Sequence, residues 1–369
     1  MNKKVCCIFN VGPYYRYPIY NKMSVRFNVD FYIGDKGSTP IKLFNYYDLN
    51  GFKRKLPRIN LFGNWYWLSG VLGLAFKPYD IYIITGEPFC LSVWIFLVFA
   101  KLIGKDTVAW THGWYGKESG VRKVVKKCFF NLFTKIMCYN EYSTKLMIEQ
   151  GFSVEKVVAL GNSLDTDMQR KIRTRLHLTD IFSKYFGNDA PVILYCGRIQ
   201  KVKKLDLLVE MLATMKHRGI EANLVFVGKD VDNVRILDLA KNLGLTGNIW
   251  FYGPCYDEEK LGEIFYNSSV CVSPGNVGLT AIHSLSYGCP VITHNDFANQ
   301  MPEFEAIIPG VTGDFFKYGD VDDMLRCTLK WLNRSVDERE CTRIAAFNEI
   351  DRKWNIYSQI EIMNSFLFK

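Results

Sequence analysis

Short runs of β-branched and other apolar residues alternate along the chain with longer stretches in which apolar positions recur every three or four residues. The short runs predict buried strands at 5–11, 29–34, 81–85, 107–111, 136–140 and 157–160. After a break they predict more at 192–196, 223–227, 249–252, 270–273 and 290–293. The longer stretches predict helices. In 205–218, for example, Leu207, Leu208, Met211, Leu212 and Met215 share one helical face. Strand–helix alternation of this kind specifies parallel sheets with helices on both faces. The alternation runs twice around a polar, charged stretch at 165–189. The pattern therefore predicts an α/β chain of two Rossmann-like, doubly wound domains, 1–165 and 166–352. The aromatic-rich end, 353–369, is expected to pack back on the first domain as a helix. Ligands of such sheets bind at the carboxyl ends of the strands.

Composition narrows the class. The chain has 369 residues, 49% hydrophobic and 15% aromatic, which is ample core for two domains of about 100–200 residues each and excludes a disordered chain. No run approaches the ~20 apolar residues of a membrane span; the longest, 89–100, suits a packed helix. The segment MNKKVCCIFNVG reads as a first strand and not as a leader, so a cytoplasmic location is expected. Eleven cysteines occur without CxxC spacing, several inside strand-like runs. They read as small buried hydrophobes, with neither a disulfide framework nor a zinc site.

Charge is unevenly distributed. Residues 1–165 hold 22 Lys/Arg against 11 Asp/Glu, which more than accounts for the net charge of +9. One cluster is Lys53-Arg54-Lys55 with Arg58. The other is 121–135, where Val121, Val124, Val125, Cys128, Phe129 and Leu132 form an apolar stripe opposite Arg122, Lys123, Lys126 and Lys127. Such a helix either packs on the sheet with a solvated basic face or lies on an anionic membrane surface. There is no RNP motif or zinc finger, so nucleic acid is not an expected partner.

Two segments carry chemistry. In Tyr195-Cys196-Gly197-Arg198-Ile199, with Lys203 following, a strand ends beside two cations and a coming helix, which suits a diphosphate. In Ser273-Pro274-Gly275-Asn276-Val277-Gly278-Leu279-Thr280, a strand gives way to a glycine turn and a helix near Gly278. The amides of Gly278, Leu279 and Thr280 would face an anion.

Four pieces occur in order: the strand-to-hinge segment 158–165, GRI…K at 197–203, GLTAIHSLSYGCPVI at 278–292, and 305–313. Together they resemble the retaining, nucleotide-sugar-dependent glycosyltransferases of family four (glycosyl transferases group 1). That family has the GT-B fold, two Rossmann-like domains facing across a cleft. The resemblance covers 105–335 well and 1–104 in outline. It implies that Arg198 and Lys203 bind the donor diphosphate together with the amides at Gly278, Leu279 and Thr280, and that Gly275, Asn276 and His283 face the donor sugar and ribose. It further implies that His112, in Trp110-Thr111-His112-Gly113-Trp114, is the catalytic-site histidine near donor sugar and acceptor. Tyr14, Arg16 and Glu87 are acceptor-side candidates from the loops after the first strand and after 81–85.

The chain departs from the family at two places. Where the family has two glutamates flanking the glycine loop, this sequence has Gly275 and His283. A neutral imidazole accepts one hydrogen bond where a carboxylate accepts several. Three explanations stay open: a donor nucleotide without a 2′-hydroxyl, a ribose held elsewhere, or a degenerate site. In the first loop, the family's paired glycines give way to Gly12-Pro13-Tyr14-Tyr15-Arg16-Tyr17. Asp165-Thr166-Asp167 spells a DxD, but at a linker. No metal and no cofactor are expected, because the diphosphate already has cationic partners. The resemblance implies sugar transfer to a glycan or lipid-linked acceptor in surface polysaccharide or O-antigen assembly, at the inner face of the cytoplasmic membrane. A nucleotide-sugar epimerase of the same fold and a catalytically silent sugar-nucleotide-binding subunit are the alternatives.

Overall fold

The computed structural model describes residues 3–37 and 41–368. The chain forms two compact units: one runs to Asp165 and resumes at Asn355, and the other is Thr166–Trp354.

The first unit contains β1 (Val5–Phe9), β2 (Val29–Gly34), β3 (Phe52–Leu56), an antiparallel hairpin of β4 (Arg58–Asn60) and β5 (Tyr66–Leu68), then β6 (Ile81–Thr85), β7 (Asp106–Thr111), β8 (Lys135–Cys138) and β9 (Val157–Ala159). Apart from the hairpin these build one seven-stranded sheet in the order β3-β2-β1-β6-β7-β8-β9, with every neighbouring pair parallel. All five residues of β1 and all six of β2 are buried, because helices cover both faces. One face packs Val93, Phe96, Phe129 and Phe130 over the sheet. The other packs Ile19, Tyr20 and Met23 beside Ile356, Ile360 and Met363 of the closing helix Ile356–Leu367.

The second unit contains β10 (Val192–Cys196), β11 (Asn223–Val227), β12 (Ile249–Gly253), β13 (Val270–Ser273), β14 (Val291–His294) and β15 (Gly313–Phe316). Its six-stranded sheet runs β12-β11-β10-β13-β14-β15, all parallel. The helix Asp206–His217 buries Leu208, Val209, Met211, Leu212 and Met215, the three-to-four spacing of a core face; truncating one such leucine to alanine costs about 2–5 kcal/mol. Two parallel α/β units of this kind make up the GT-B fold.

Two parts of the pattern come out differently. Lys53, Arg54, Lys55 and Arg58 read as a basic cluster, yet they lie on β3 and on the first strand of the hairpin. Lys53 pairs with Asp30 at 3.2 Å, and the Arg58 guanidinium lies 3.6 Å from the Tyr66 ring centroid. β3 is an edge strand that leaves Lys53, Arg54 and Lys55 exposed, which hides it from a hydrophobicity reading. The helix Gly120–Asn131 seats only its last turn, through Phe129 and Phe130; Val121 and Val124 are exposed. Lys126 leaves the expected solvated basic face altogether. It bonds Glu118 and lies over the Trp114 and Tyr115 rings.

Among the described residues, no helix is long and apolar enough to cross a membrane. No group of three His, Cys, Asp or Glu is placed to hold a metal ion.

Candidate functional site

In the second unit, successive strands extend the sheet in one direction from β10 and in the other from β13. Sheets of this kind bind ligands at such a switch, beyond the carboxyl ends of the strands. The loops after both strands are tied together there. Thr280 Oγ1 donates to the Cys196 carbonyl at 2.8 Å, and the Gly275 amide donates to the Lys203 carbonyl at 2.9 Å. A Cβ at Gly228 would stand 1.8 Å from the Gly197 oxygen, so only glycine lets the β11 loop close against the turn that carries Arg198.

The structure brings Arg198, Lys203, Asn276 and Thr280 into this one place. The Arg198 carbonyl is fixed by the Tyr195 hydroxyl at 2.8 Å. Its side chain is exposed, and its guanidinium has no hydrogen-bond or ion-pair partner among the described residues. Lys203 ends a tight turn, Lys201–Lys203, and its Nζ donates to Asn276 O at 2.5 Å and Asn276 Oδ1 at 2.6 Å. Burial lowers the Lys203 ammonium to about 8. Arg198 pushes the same way and Glu303 opposes it. Lys203 is therefore still largely cationic at neutral pH, but it holds its charge at a cost that an arriving anion would relieve.

Gly278 and Leu279 precede, and Thr280 opens, the helix Thr280–Ser286, whose entry is marked by the bond from Ala281 N to Gly278 O at 3.0 Å. A Cβ on Gly278 would meet only Met301, at 3.9 Å, so the space over this turn is open. Gly275 is different. A Cβ there would stand 2.4 Å from the Val202 oxygen and 2.7 Å from Lys203 Cα. Its missing side chain makes room for the 201–204 turn rather than for a sugar.

His283 is also committed. Its Nε2 lies 2.9 Å from Glu258 Oε1, which additionally accepts from Tyr287 OH at 2.8 Å and Gln169 Nε2 at 3.0 Å. Burial raises the Glu258 carboxyl, but the neighbouring His283 and these hydrogen bonds outweigh it and bring the group down to about 2. A carboxylate thus stands beside position 283, supplied by the helix Glu258–Asn267 and not by the residue itself.

In the first unit, the loops at the ends of β1, β6, β7 and β8 bring His112, Arg16 and Tyr139 together, and tie Glu87 to Asn10. His112 follows β7 and lies 4.7 Å from the Tyr139 ring. Its buried Nδ1 has no hydrogen-bond partner among the described residues. Burial, with help from Arg16 and Lys126, lowers its pKa to about 4, so the imidazole is neutral at pH 7. Glu87 Oε2 accepts from Asn10 Nδ2 and from Tyr66 OH, each at 2.8 Å. Tyr14 is exposed, under Lys42 at 4.6 Å. Arg16 is buried: its guanidinium lies over Trp110 at 5.1 Å and Tyr139 at 4.8 Å, so it acts on its surroundings through charge and packing.

Sequence reasoning missed Glu258, Gln300 and Glu303. Gln300 Oε1 accepts from the Val277 amide at 3.0 Å, and its Nε2 donates to Thr293 Oγ1 at 2.8 Å, which pins the glycine turn. Gln300 and Glu303 follow β14, so the strand-end rule that found Arg198 could have found them. Glu258 has no comparable signal.

Residues 179–348 match the family profile described as glycosyl transferases group 1. A GDP-mannose-dependent alpha-(1-6)-phosphatidylinositol dimannoside mannosyltransferase from Mycobacterium tuberculosis is 23% identical over 164 residues, 43% of this chain. The match spans only 40% of that relative's length. Among solved structures, Anabaena Alr3699/HepE in complex with UDP superposes with a TM-score of 0.74 at 12% identity, over 99% of both chains. The lipopolysaccharide outer core galactosyltransferase WaaB gives 0.72 at 15%, again over 99% of each. These likenesses establish the fold.

Proposed function

We propose that the protein is a retaining glycosyltransferase that moves a sugar from a nucleotide-diphosphate donor to an acceptor hydroxyl. One observation carries this reading: an exposed guanidinium without a protein partner, Arg198, stands with the partly desolvated ammonium of Lys203 at the switch of a six-stranded parallel sheet. Both cations suit the diphosphate, with the amides at Gly278, Leu279 and Thr280 completing its cradle. As the bond from the sugar C1 to the diphosphate oxygen breaks, charge develops on the leaving group. Arg198 and Lys203 stabilise that charge without a metal ion. The acceptor oxygen bonds to C1 on the same face, and its proton passes to the departing phosphate. The neutral His112 imidazole hydrogen-bonds the sugar or acceptor. The first unit is read as the acceptor domain and the second as the donor domain.

The acceptor is a lipid-linked or oligosaccharide glycan in surface polysaccharide assembly, and the protein works peripherally at an anionic membrane. The relatives named above support this class: one acts on a phosphatidylinositol mannoside and another is a lipopolysaccharide core transferase.

The test is a thermal-shift screen of UDP-, GDP- and dTDP-sugars followed by assay for released nucleoside diphosphate, since a ligand bound only to the folded state raises Tm. A donor should raise Tm in the native protein and not in Arg198→Ala with Lys203→Met. An equal shift in both would overturn the assignment. NMR of the product anomer tests retention.

A further inference from the structure

The helices Leu91–Leu102 and Gly120–Asn131 link β6 to β7 and β7 to β8, three adjacent strands. They lie side by side on one face of the sheet. Val93, Phe96, Phe129 and Phe130 share a core there, and the Trp94 and Phe129 rings are 5.0 Å apart. A helix so placed ordinarily turns a polar side to water. These two do not. Ile95 and Phe99 are exposed, Leu102 is 77% exposed and Val121 78%, with Val124 beside it. Phe76 extends the surface, with its ring 6.1 Å from that of Phe99 and 69% of the residue exposed. Phe76, Phe99 and Leu102 thus form one exposed apolar group towards the end of the first helix, and Val121 and Val124 a second at the start of the other; exposed apolar groups on one layer mark an interaction surface.

The charge around this surface is one-sided. Residues 91–131 contain seven Lys and Arg against two acids, and one of those acids, Glu118, is already bonded to Lys126. Lys101, Arg122, Lys123 and Lys127 are exposed. An apolar face framed by cations complements a bilayer with anionic headgroups, where the side chains enter the acyl boundary and the cations meet phosphates. A second copy of the same face would bring like charges together, which opposes self-pairing.

We infer that this face of the first unit seats the protein on an anionic lipid surface, with Phe76, Ile95, Phe99, Leu102, Val121 and Val124 entering the headgroup boundary. This differs from attachment through a basic helix face alone: the apolar residues insert and the basic residues select the lipid. The inference deepens the membrane part of the reading above and rests on it for its purpose. Its test uses neither nucleotide nor sugar, so it can fail while sugar transfer stands, and the reverse.

The experiment is co-sedimentation of the full chain with vesicles of phosphatidylcholine alone or mixed with phosphatidylglycerol. Binding should be at least about tenfold stronger to the anionic vesicles. Leu102→Asp with Phe99→Ser should lose about tenfold on the same vesicles, and Lys123→Glu with Lys127→Glu should abolish the preference for anionic lipid. All these positions are exposed, so Tm should stay unchanged. As a gain of signal, Leu102→Trp should shift its fluorescence to the blue on anionic vesicles only. Absence of vesicle binding, or binding indifferent to both pairs of substitutions, would overturn the inference. So would a concentration-dependent dimer that Leu102→Asp disperses, which would make a second copy the occupant.

Discussion

Gly275 packs against the carbonyl of Val202 so closely that any Cβ would stand 2.4 Å from that oxygen. The contact locks the glycine turn after β13 to the turn carrying Lys203, and the Gly275 amide adds its own bond to the Lys203 carbonyl. Restoring a family-like glutamate here would therefore push the two turns apart instead of adding a ligand contact. Gly275→Glu should weaken nucleotide binding by about tenfold or more, and even Gly275→Ala should cost about 1–3 kcal/mol of stability through overpacking. Urea denaturation and a UDP titration check both. Tighter donor binding by Gly275→Glu would refute this reading of the turn.

Lys203 sets a pH dependence on donor binding. Its ammonium sits at about 8 in the free protein, and a diphosphate favours the protonated form. Affinity should be nearly level below pH 7 and fall by about tenfold per unit once the group has titrated. Lys203→Arg keeps its charge across this range and should remove the bend; Lys203→Met should be weak throughout. Calorimetric titration of UDP from pH 7 to pH 10 distinguishes the three. A wild-type affinity indifferent to pH would rule Lys203 out of the diphosphate site.

The placement of the candidate site in the second unit was legible because its strands announce themselves. Val192–Cys196 and Val270–Ser273 are short apolar runs, and polar residues just beyond such ends are where a parallel sheet holds its ligands. Arg198, Lys203 and Asn276 follow from that rule. What stayed hidden depends on contacts between segments distant in sequence. The Glu258–His283 pair joins two helices, and periodicity says nothing of pairing between them. The charged edge strand β3 and the short β15 lacked the hydrophobic runs that mark central strands. The burial of Arg16 among Trp110 and Tyr139 was equally invisible, since an arginine in an aromatic loop reads the same whether it faces in or out.

Glu258 should stabilise the fold in a pH-dependent way. Its carboxyl falls from an ordinary 4.5 to about 2. A depressed folded value gives stability that is fully present above the unfolded pKa and is lost as pH drops towards the folded one. The contribution is at most about 3 kcal/mol. Glu258→Gln should thus be less stable than the native chain at pH 7, and the gap should narrow by more than half on acidification to pH 3. Denaturant melts at pH 3, 5 and 7 measure it. A gap that stays constant with pH would show that the pair contributes no charge-dependent stability.

His112 gives the clearest test of charge in the first unit. Burial is the larger cause of its low value and Arg16 the next, so the two can be separated. Arg16→Met removes the neighbouring cation and leaves most of the burial, which should raise the imidazole above 4 but leave it short of 6.5. The NMR shift of the His112 Cε1 proton against pH reads this directly. If the imidazole hydrogen-bonds the reacting sugar in its neutral form, His112→Ala should lower kcat by about a hundredfold. The profile of kcat between pH 5 and pH 8 should show no limb from this group. A histidine acting as a cation would instead give a rate that falls as pH rises through its pKa. Finding that limb near 6.5, together with an unshifted NMR titration, would mean that His112 is solvated and charged, and would remove it from the proposed chemistry.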